Sequence, residues 1–359
     1  MLEDFGEPKK SKTWGFRMFS MPSSPGCGCC SEAFECLEEV QEKLRGQLRG
    51  LGLSGEGDPC RWEGIECRDC AVQKIRSYEA TGDLSSVVSS LKEMTELTVL
   101  NLRGSPVTGN ISELSKLERL QVLDLAQTRV VGDVAELSNL RGLQCLYLKQ
   151  TQVLGDVGEL SKLDGLQSLY LTQTQVLGNV ANLSKLKGLQ RLDLSQTRIT
   201  GDVADLSTLS QLQRLYLTEV QIVGDVGELS KLNQLEHLYL TQTQVVGNIG
   251  VISSMPELVR ADLSGTAVSG KLDELRPGCC GKLRRLHLGV VALVVCSSVF
   301  VSFCGEVWLY SLISFLSEDT QVRISPGAAA RSLSRKTVFL PALESLNANA
   351  LDVSWIFRV

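Results

Sequence analysis

One phrase recurs with a period of 23 along the middle of this chain and constrains its fold more than any other feature. It begins at Leu97 and restarts at Leu120, Leu143, Leu166, Leu189, Leu212, Leu235 and Leu258, with a ninth start at Leu283 two positions late. The shared pattern is L-x-x-L-x-L-x-x-T-x-V-x-G-D-V-x-x-L-S-x-L-x-x, and Gly109, Gly132, Gly155, Gly178, Gly201, Gly224, Gly247 and Gly270 fall in one column. Self-similarity at this period marks a solenoid. One unit has nothing to bury its apolar face against, so its neighbours must supply both packing and strand hydrogen bonds.

Within a unit, L-x-x-L-x-L alternates with period two, so the leucines point one way from a short strand and the residues between them the other. The glycine column marks a backbone site where a side chain would clash or where unusual dihedrals are needed. The later L-S-x-L predicts a loose helical or 3₁₀ return. At about 4.8 Å per strand, stacked units of this kind build a curved sheet about 40 Å long. The 359 residues are 43% hydrophobic, enough for a sizeable core, and a net charge of -5 argues against a nucleic-acid-binding surface, which needs clustered Lys and Arg. Only two histidines, His237 and His287, are present, which leaves little for histidine-based catalysis or a metal centre.

Over about residues 70–290 the sequence resembles a leucine-rich-repeat protein, and most closely the plant-type repeat, whose pattern continues L-x-G-x-I-P. The resemblance implies an α/β solenoid with a curved parallel β-sheet on the concave face, an irregular or 3₁₀ convex side and a helical N-terminal cap. Two departures stand out. Thr128, Thr151, Thr174, Thr197 and Thr243 take the usual asparagine place, and the Ile-Pro step becomes Asp133-Val134 or Asn179-Val180. A threonine hydroxyl still bonds neighbouring backbone, with shorter reach than an asparagine amide.

A first coil needs a cap over its open core face. Phe34, Leu37, Val40, Leu44 and Leu48 recur at helical spacing behind Ser31, a candidate N-cap. The stretch Asp58-Pro59-Cys60-Arg61-Trp62-Glu63-Gly64-Ile65-Glu66-Cys67 then resembles the cap of plant leucine-rich receptors, which implies that Cys60 and Cys67 pair and that Trp62 covers the first repeat. An opening degenerate repeat follows, with Ile75, Gly82-Asp83-Leu84, Leu91 and Met94 in register and an insertion placed on the convex side. Cys27, Cys29, Cys30 and Cys36 form a second cluster with three readings: zinc held by Cys27, Cys30, Cys67 and Cys70, acylation, or plain surface thiols.

The expected organisation is a disordered cysteine-containing segment over 1–30, the cap over 31–70, the solenoid over 71–288, an apolar segment over 289–316 and a tail with a partial repeat over 317–359. The apolar stretch, taken as 288–316, is a candidate single membrane span; an insertion or an aberrantly translated segment are the other readings, since a repeat-like phrase resumes at Leu340. Family resemblance points to a membrane-associated or extracellular setting. The start of the chain points to the cytoplasm, because it lacks the apolar core of a signal peptide.

Enzyme signatures are missing. Gly50-Leu51-Gly52-Leu53-Ser54-Gly55 matches G-x-G-x-x-G, but it follows a charged helix and precedes Asp58-Pro59, so it reads as a glycine-rich linker and no cofactor is implied. The outward strand positions carry more. Asn101, Asp124, Tyr147, Tyr170, Asp193, Tyr216, Tyr239 and Asp262 share one column, and Arg191, Arg214, His237 and Arg260 the column beside it. Tyrosine and arginine combine large contact area with hydrogen bonds, the chemistry of binding hot spots. The residues expected to bind are therefore Tyr147, Tyr170, Arg191, Asp193, Arg214, Tyr216, His237, Tyr239 and Arg260, with a protein or peptide as ligand. The opposing view is that duplication copied these residues into a cross-strand ladder. The functional expectation is a non-enzymatic, receptor-like binding module; an intracellular scaffold or regulatory protein is the alternative.

Overall fold

The computed structural model describes residues 42–288, apart from 47, 50–51, 69–70, 92–93 and 271–281. Each coil opens with a short strand whose central side chain points inward, as at Cys145–Tyr147, Ser168–Tyr170, Arg191–Asp193, Arg214–Tyr216 and His237–Tyr239. These strands pair in parallel, each residue facing its counterpart in the next coil, as Leu146 faces Leu169 and Leu192 faces Leu215. With the antiparallel pair Ile65–Arg68 and Ala71–Arg76 at the start, they form an 11-stranded sheet. The late ninth start is absorbed without loss of pairing, Arg260 facing Arg285.

The apolar positions of each coil turn inward. In the coil from Leu143 they are Leu143, Leu146, Leu148, Val153, Val157, Leu160 and Leu163, all fully buried. The leucine ridges of neighbouring coils join into one continuous core running from Leu48 to Leu286. At the corner after the first strand, Thr174 donates to the carbonyl of Leu171 at 2.7 Å, and its equivalents do the same in their own coils. The preceding glutamine sits in left-handed backbone, with φ of 56° at Gln173, where most side chains are strained. Its amide is held in a ladder along the solenoid: Gln127 donates to Gln150 at 3.0 Å and Gln150 to Gln173 at 2.6 Å.

The convex return is 3₁₀, as at Val157–Lys162. Between corner and return lies a feature that the sequence pattern does not announce, a second parallel sheet. Thr108–Asn110, Arg129–Asp133, Gln152–Asp156, Gln175–Asn179, Arg198–Asp202 and Gln221–Val223 form six strands of it, and Val246–Asn248 pairs separately with Ala267–Ser269. Here the partners are offset from the repeat, Val131 facing Gln152 and Leu177 facing Arg198 rather than their equivalents Leu154 and Thr200. A slip of two positions keeps Val153, Val176 and Ile199 on the core side, because side-chain direction alternates with period two.

The glycine column has a specific cause in this geometry. Asp156 caps its 3₁₀ turn by accepting from the backbone N–H of Gly158 at 2.7 Å. In the next coil Gly178 has φ of +113°, and a Cβ there would lie 2.2 Å from Asp156 Oδ1. From Gly109 to Gly247, each glycine of the column thus makes room for the capping side chain of the coil before it.

In the first coil the expected insertion becomes an α-helix, Leu84–Leu91, which replaces the 3₁₀ turn. Asp83 precedes it and accepts from the N–H of Ser85 at 2.8 Å. In the cap, residues 42–46 and 48–49 are helical, Leu48 is fully buried and Leu44 partly so. A disulfide joins Cys60 to Cys67, with an S–S distance of 2.00 Å, so the four-thiolate zinc arrangement through Cys67 does not form. Trp62 is 7% exposed, and a Cβ on Gly55 would come within 2.7 Å of its ring. The glycine-rich linker is therefore also the surface against which the tryptophan lies. Ser31, Phe34, Leu37, Val40, the cysteines at 27, 29, 30 and 36, and residues 289–359 lie outside the described residues. Among the described residues no helix is long and apolar enough to cross a membrane.

Candidate functional site

The outward positions of the 11-stranded sheet place the sequence-derived binding residues on one surface. The central residue of each strand, Leu in most and Ala261 in Arg260–Asp262, is buried, so the residues on either side of it face out together. Tyr147, Tyr170, Asp193, Tyr216 and Tyr239 therefore stand in register on consecutive strands. Arg191, Arg214, His237 and Arg260 stand in register beside them, two positions earlier on their strands.

The tyrosines act as pairs. The rings of Tyr147 and Tyr170 are 5.1 Å apart and tilted by 30°, and those of Tyr216 and Tyr239 are 4.9 Å apart and stacked at 24°. Such spacing suits an offset aromatic contact. Asp193 stands between the pairs, and Asp124 and Asp262 flank them. The column reads Asp, Tyr, Tyr, Asp, Tyr, Tyr, Asp, a pattern that repeats every three coils. The same triple period runs through the turn caps: Asn110, Asn179 and Asn248 alternate with the aspartate pairs Asp133/Asp156 and Asp202/Asp225. Aligning the sequence coil by coil hides this superperiod; comparing coils three apart exposes it. The two aromatic platforms are about 14 Å apart, three strand spacings.

Each aspartate is anchored. Asp193 accepts from the N–H of Ser195 at 3.0 Å, and Asp124 from the N–H of Ala126 at 3.0 Å. Asn101 makes the same bond to Arg103 near the sheet's start. Burial pushes the Asp193 carboxyl above the usual carboxylate range, against the pull of the hydrogen bonds it accepts. At Asp262 burial also acts upward, but bonds from His287, 3.4 Å away, and Ser264 outweigh it and lower the carboxyl. Burial holds all four tyrosine hydroxyls above their ordinary value; that of Tyr147 reaches about 12, with Cys145 adding to the rise. They remain neutral hydrogen-bonding groups at physiological pH. His237 Nδ1 lies 3.3 Å from the Tyr216 hydroxyl, and burial followed by the Arg214 charge lowers its pKa.

The two platforms differ at their rims. Beside the first pair stand Cys145, a half-buried free thiol, and Ser168; beside the second stand Arg214 and His237. Among the described residues no group of three or more His, Cys, Asp or Glu side chains could hold a metal ion.

No family model matches the chain, and no curated protein matches its sequence. Solved structures do share the fold. The ectodomain of the Arabidopsis receptor kinase HAESA, solved with an extended IDA peptide hormone, superposes over 71% of this chain and 47% of its own, with a TM-score of 0.61 and 22% identity. The ectodomain of the Arabidopsis thaliana receptor kinase GASSHO1/SCHENGEN3, solved with CASPARIAN STRIP INTEGRITY FACTOR 2, covers 70% and 35%, with a TM-score of 0.56 and 24% identity. A plant ice-binding protein covers 66% and 87%, with a TM-score of 0.52 and 18% identity. The chain has the fold of a leucine-rich-repeat solenoid. Its solenoid resembles those of plant receptor ectodomains and spans less than half the length of either of these two.

Proposed function

We propose that this solenoid is a non-enzymatic recognition module that holds a protein or peptide segment across its concave strands, in a receptor-like role. The observation that carries this reading is the doubled tyrosine platform. Four of the chain's six tyrosines stand on one face as two stacked pairs in register. Their rings are fixed by their neighbours before any ligand arrives, so little side-chain entropy is lost on binding. The acidic surroundings, the neutral hydroxyls and the flanking arginines supply polar contacts around an aromatic floor. HAESA and GASSHO1/SCHENGEN3, whose ectodomains share the fold, are described in complex with a peptide hormone and an integrity factor, which supports a peptide-sized ligand here.

The test uses a displayed library of random peptides selected on the wild-type chain. Replacing Tyr170, Tyr216 and Tyr239 together with alanine should weaken the selected peptides by at least about 100-fold, because truncated hot-spot aromatics lose about 2 kcal/mol or more each. The circular dichroism spectrum should stay unchanged, since none of the three side chains is in the core. Selected peptides that bind the triple variant as tightly as the wild type would overturn the assignment.

A further inference from the structure

The position two before the tyrosine column changes character abruptly along the sheet. On the strands from Val99–Asn101 to Ser168–Tyr170 it holds Val99, Val122, Cys145 and Ser168, all uncharged, while Lys74 on the strand before them, facing Val99, is paired with Glu66. From there on it holds Arg191, Arg214, His237, Arg260 and Arg285, facing one another strand by strand. Five cationic or protonatable residues thus stand about 4.8 Å apart in a row about 19 Å long. Like charges directly opposite one another destabilise a sheet. Here the first four are also half-buried, which strengthens the repulsion by removing water. Among the described residues Arg191, Arg214 and Arg285 form no ion pair. The chain as a whole carries a net charge of -5, so this row departs from the average surface in sign as well as density.

The two aspartates on the strands beside the row hydrogen-bond to other groups. Asp193 turns to the backbone N–H of Ser195, and Asp262 to Ser264 and His287. The row is mostly arginine, whose planar fork binds carboxylates through two parallel hydrogen bonds. A segment laid along it must bring negative charge at short, regular intervals. An extended chain of about six residues spans the same length, and its alternate side chains point one way.

Building on the concave-face reading, we infer that the concave strands from Arg191–Asp193 to Arg285–His287 bind an acidic, extended segment of a partner protein. Its carboxylates lie on the Arg191–Arg285 row, and its uncharged continuation lies on the Tyr147/Tyr170 platform. The charge step between the two platforms fixes the direction in which such a segment lies.

The experiment uses the full chain and three fluorescent peptides with amidated C-termini: an alternating Glu-Gly heptamer extended by an uncharged tail, its Gln-for-Glu twin and its Lys-for-Glu twin. Anisotropy titrations at low and moderate salt give the affinities. The acidic peptide should bind, should weaken about tenfold or more as salt rises, and should lose about a further tenfold in Arg191→Gln/Arg214→Gln. The twins should bind at least about tenfold more weakly than the acidic peptide. The double variant should melt no lower than the wild type, since it removes mutual repulsion. As a second readout, the His237 ring faces Arg214 and Arg260 on the adjacent strands, Tyr216, Tyr239 and the neighbouring Glu236. Its NMR titration midpoint should rise when the acidic peptide is bound. A Gln twin that binds equally well overturns the charge inference and leaves the tyrosine platforms as the binding surface. Inorganic sulfate that displaces the acidic peptide at equal charge concentration, or a single-stranded oligonucleotide that binds more tightly than it, also overturns the inference. Loss of library binding on tyrosine substitution is read separately, so the two proposals fall independently.

Discussion

Asp193 shows how much of this surface is decided by single side chains. It is 4% exposed, stands between the two tyrosine pairs, and is held in place by accepting from Ser195. Burial raises its pKa, so the folded chain holds the proton to higher pH than the unfolded chain does. The sign follows from proton linkage. The contribution of that proton to stability is complete below the unfolded carboxylate range and is lost as pH climbs through the raised folded value. Above that range, holding the Asp193 carboxylate buried is therefore a cost to the fold. Asn101 occupies the equivalent place in an earlier coil and makes the same bond to backbone at 3.0 Å. Asp193→Asn should accordingly raise the midpoint of urea unfolding at pH 7, and its advantage over wild type should shrink as pH approaches 4. Unfolding curves at several pH values check this; an advantage that grows in acid would mean the carboxylate is stabilised by its neighbours rather than strained by burial.

At the scale of elements, the two sheets and the 3₁₀ returns are locked together by the contact between cap and glycine. Asp156 caps its own turn, and Gly178 of the next coil leaves the space that this side chain needs. Gly178→Ala should destabilise by about 2–4 kcal/mol, combining strained backbone at φ of +113° with disturbance of the cap. Asp156→Ala should cost about 1 kcal/mol, and in the double variant the costs should sum to less than the separate values, because the clash needs the aspartate. Thermal or urea unfolding of the four proteins measures the coupling. The concave strands were legible from the sequence because their inward leucines fall at L-x-x-L-x-L in coil after coil. The second sheet was not. Each of its strands has a single inward Val or Ile in or just before it, close to a glycine, too short an alternation to register as a strand. Its outward Leu154, Leu177, Val223 and Val246, 43–47% exposed, look like core residues when only composition is read. The tyrosine column was legible as a stripe. Its pairing became visible only once coils three apart were aligned, since identical Leu-Tyr-Leu phrases carry no sign of which rings touch.

For the whole molecule, the consequence of stacking is that length and site can be changed in units of one coil. Nearest-neighbour contacts dominate a solenoid, so removing one complete repeat leaves every remaining interface of the same kind. Deleting residues 166–188 would join Gly165 to Leu189 and bring the strand Cys145–Tyr147 against Arg191–Asp193 with both sheets still in register. The shortened chain should fold cooperatively, with a urea m-value lower by roughly a tenth, in proportion to the surface no longer buried. Deleting only 166–185 should not fold this way, since it moves every later leucine out of its ridge. The in-register deletion also removes half of one aromatic platform, leaving Tyr147 beside Asp193 while Tyr216 and Tyr239 keep their stack. A ligand that needs both platforms, with their separation of about 14 Å, should lose at least about tenfold in affinity, whereas one confined to the Arg214–Tyr239 region should be unaffected. Affinity and m-value measured on the same protein separate the two roles of the repeat: a normal m-value with lost binding assigns the loss to platform spacing, and an m-value far below the proportional value would mean that the coils depend on more than their immediate neighbours.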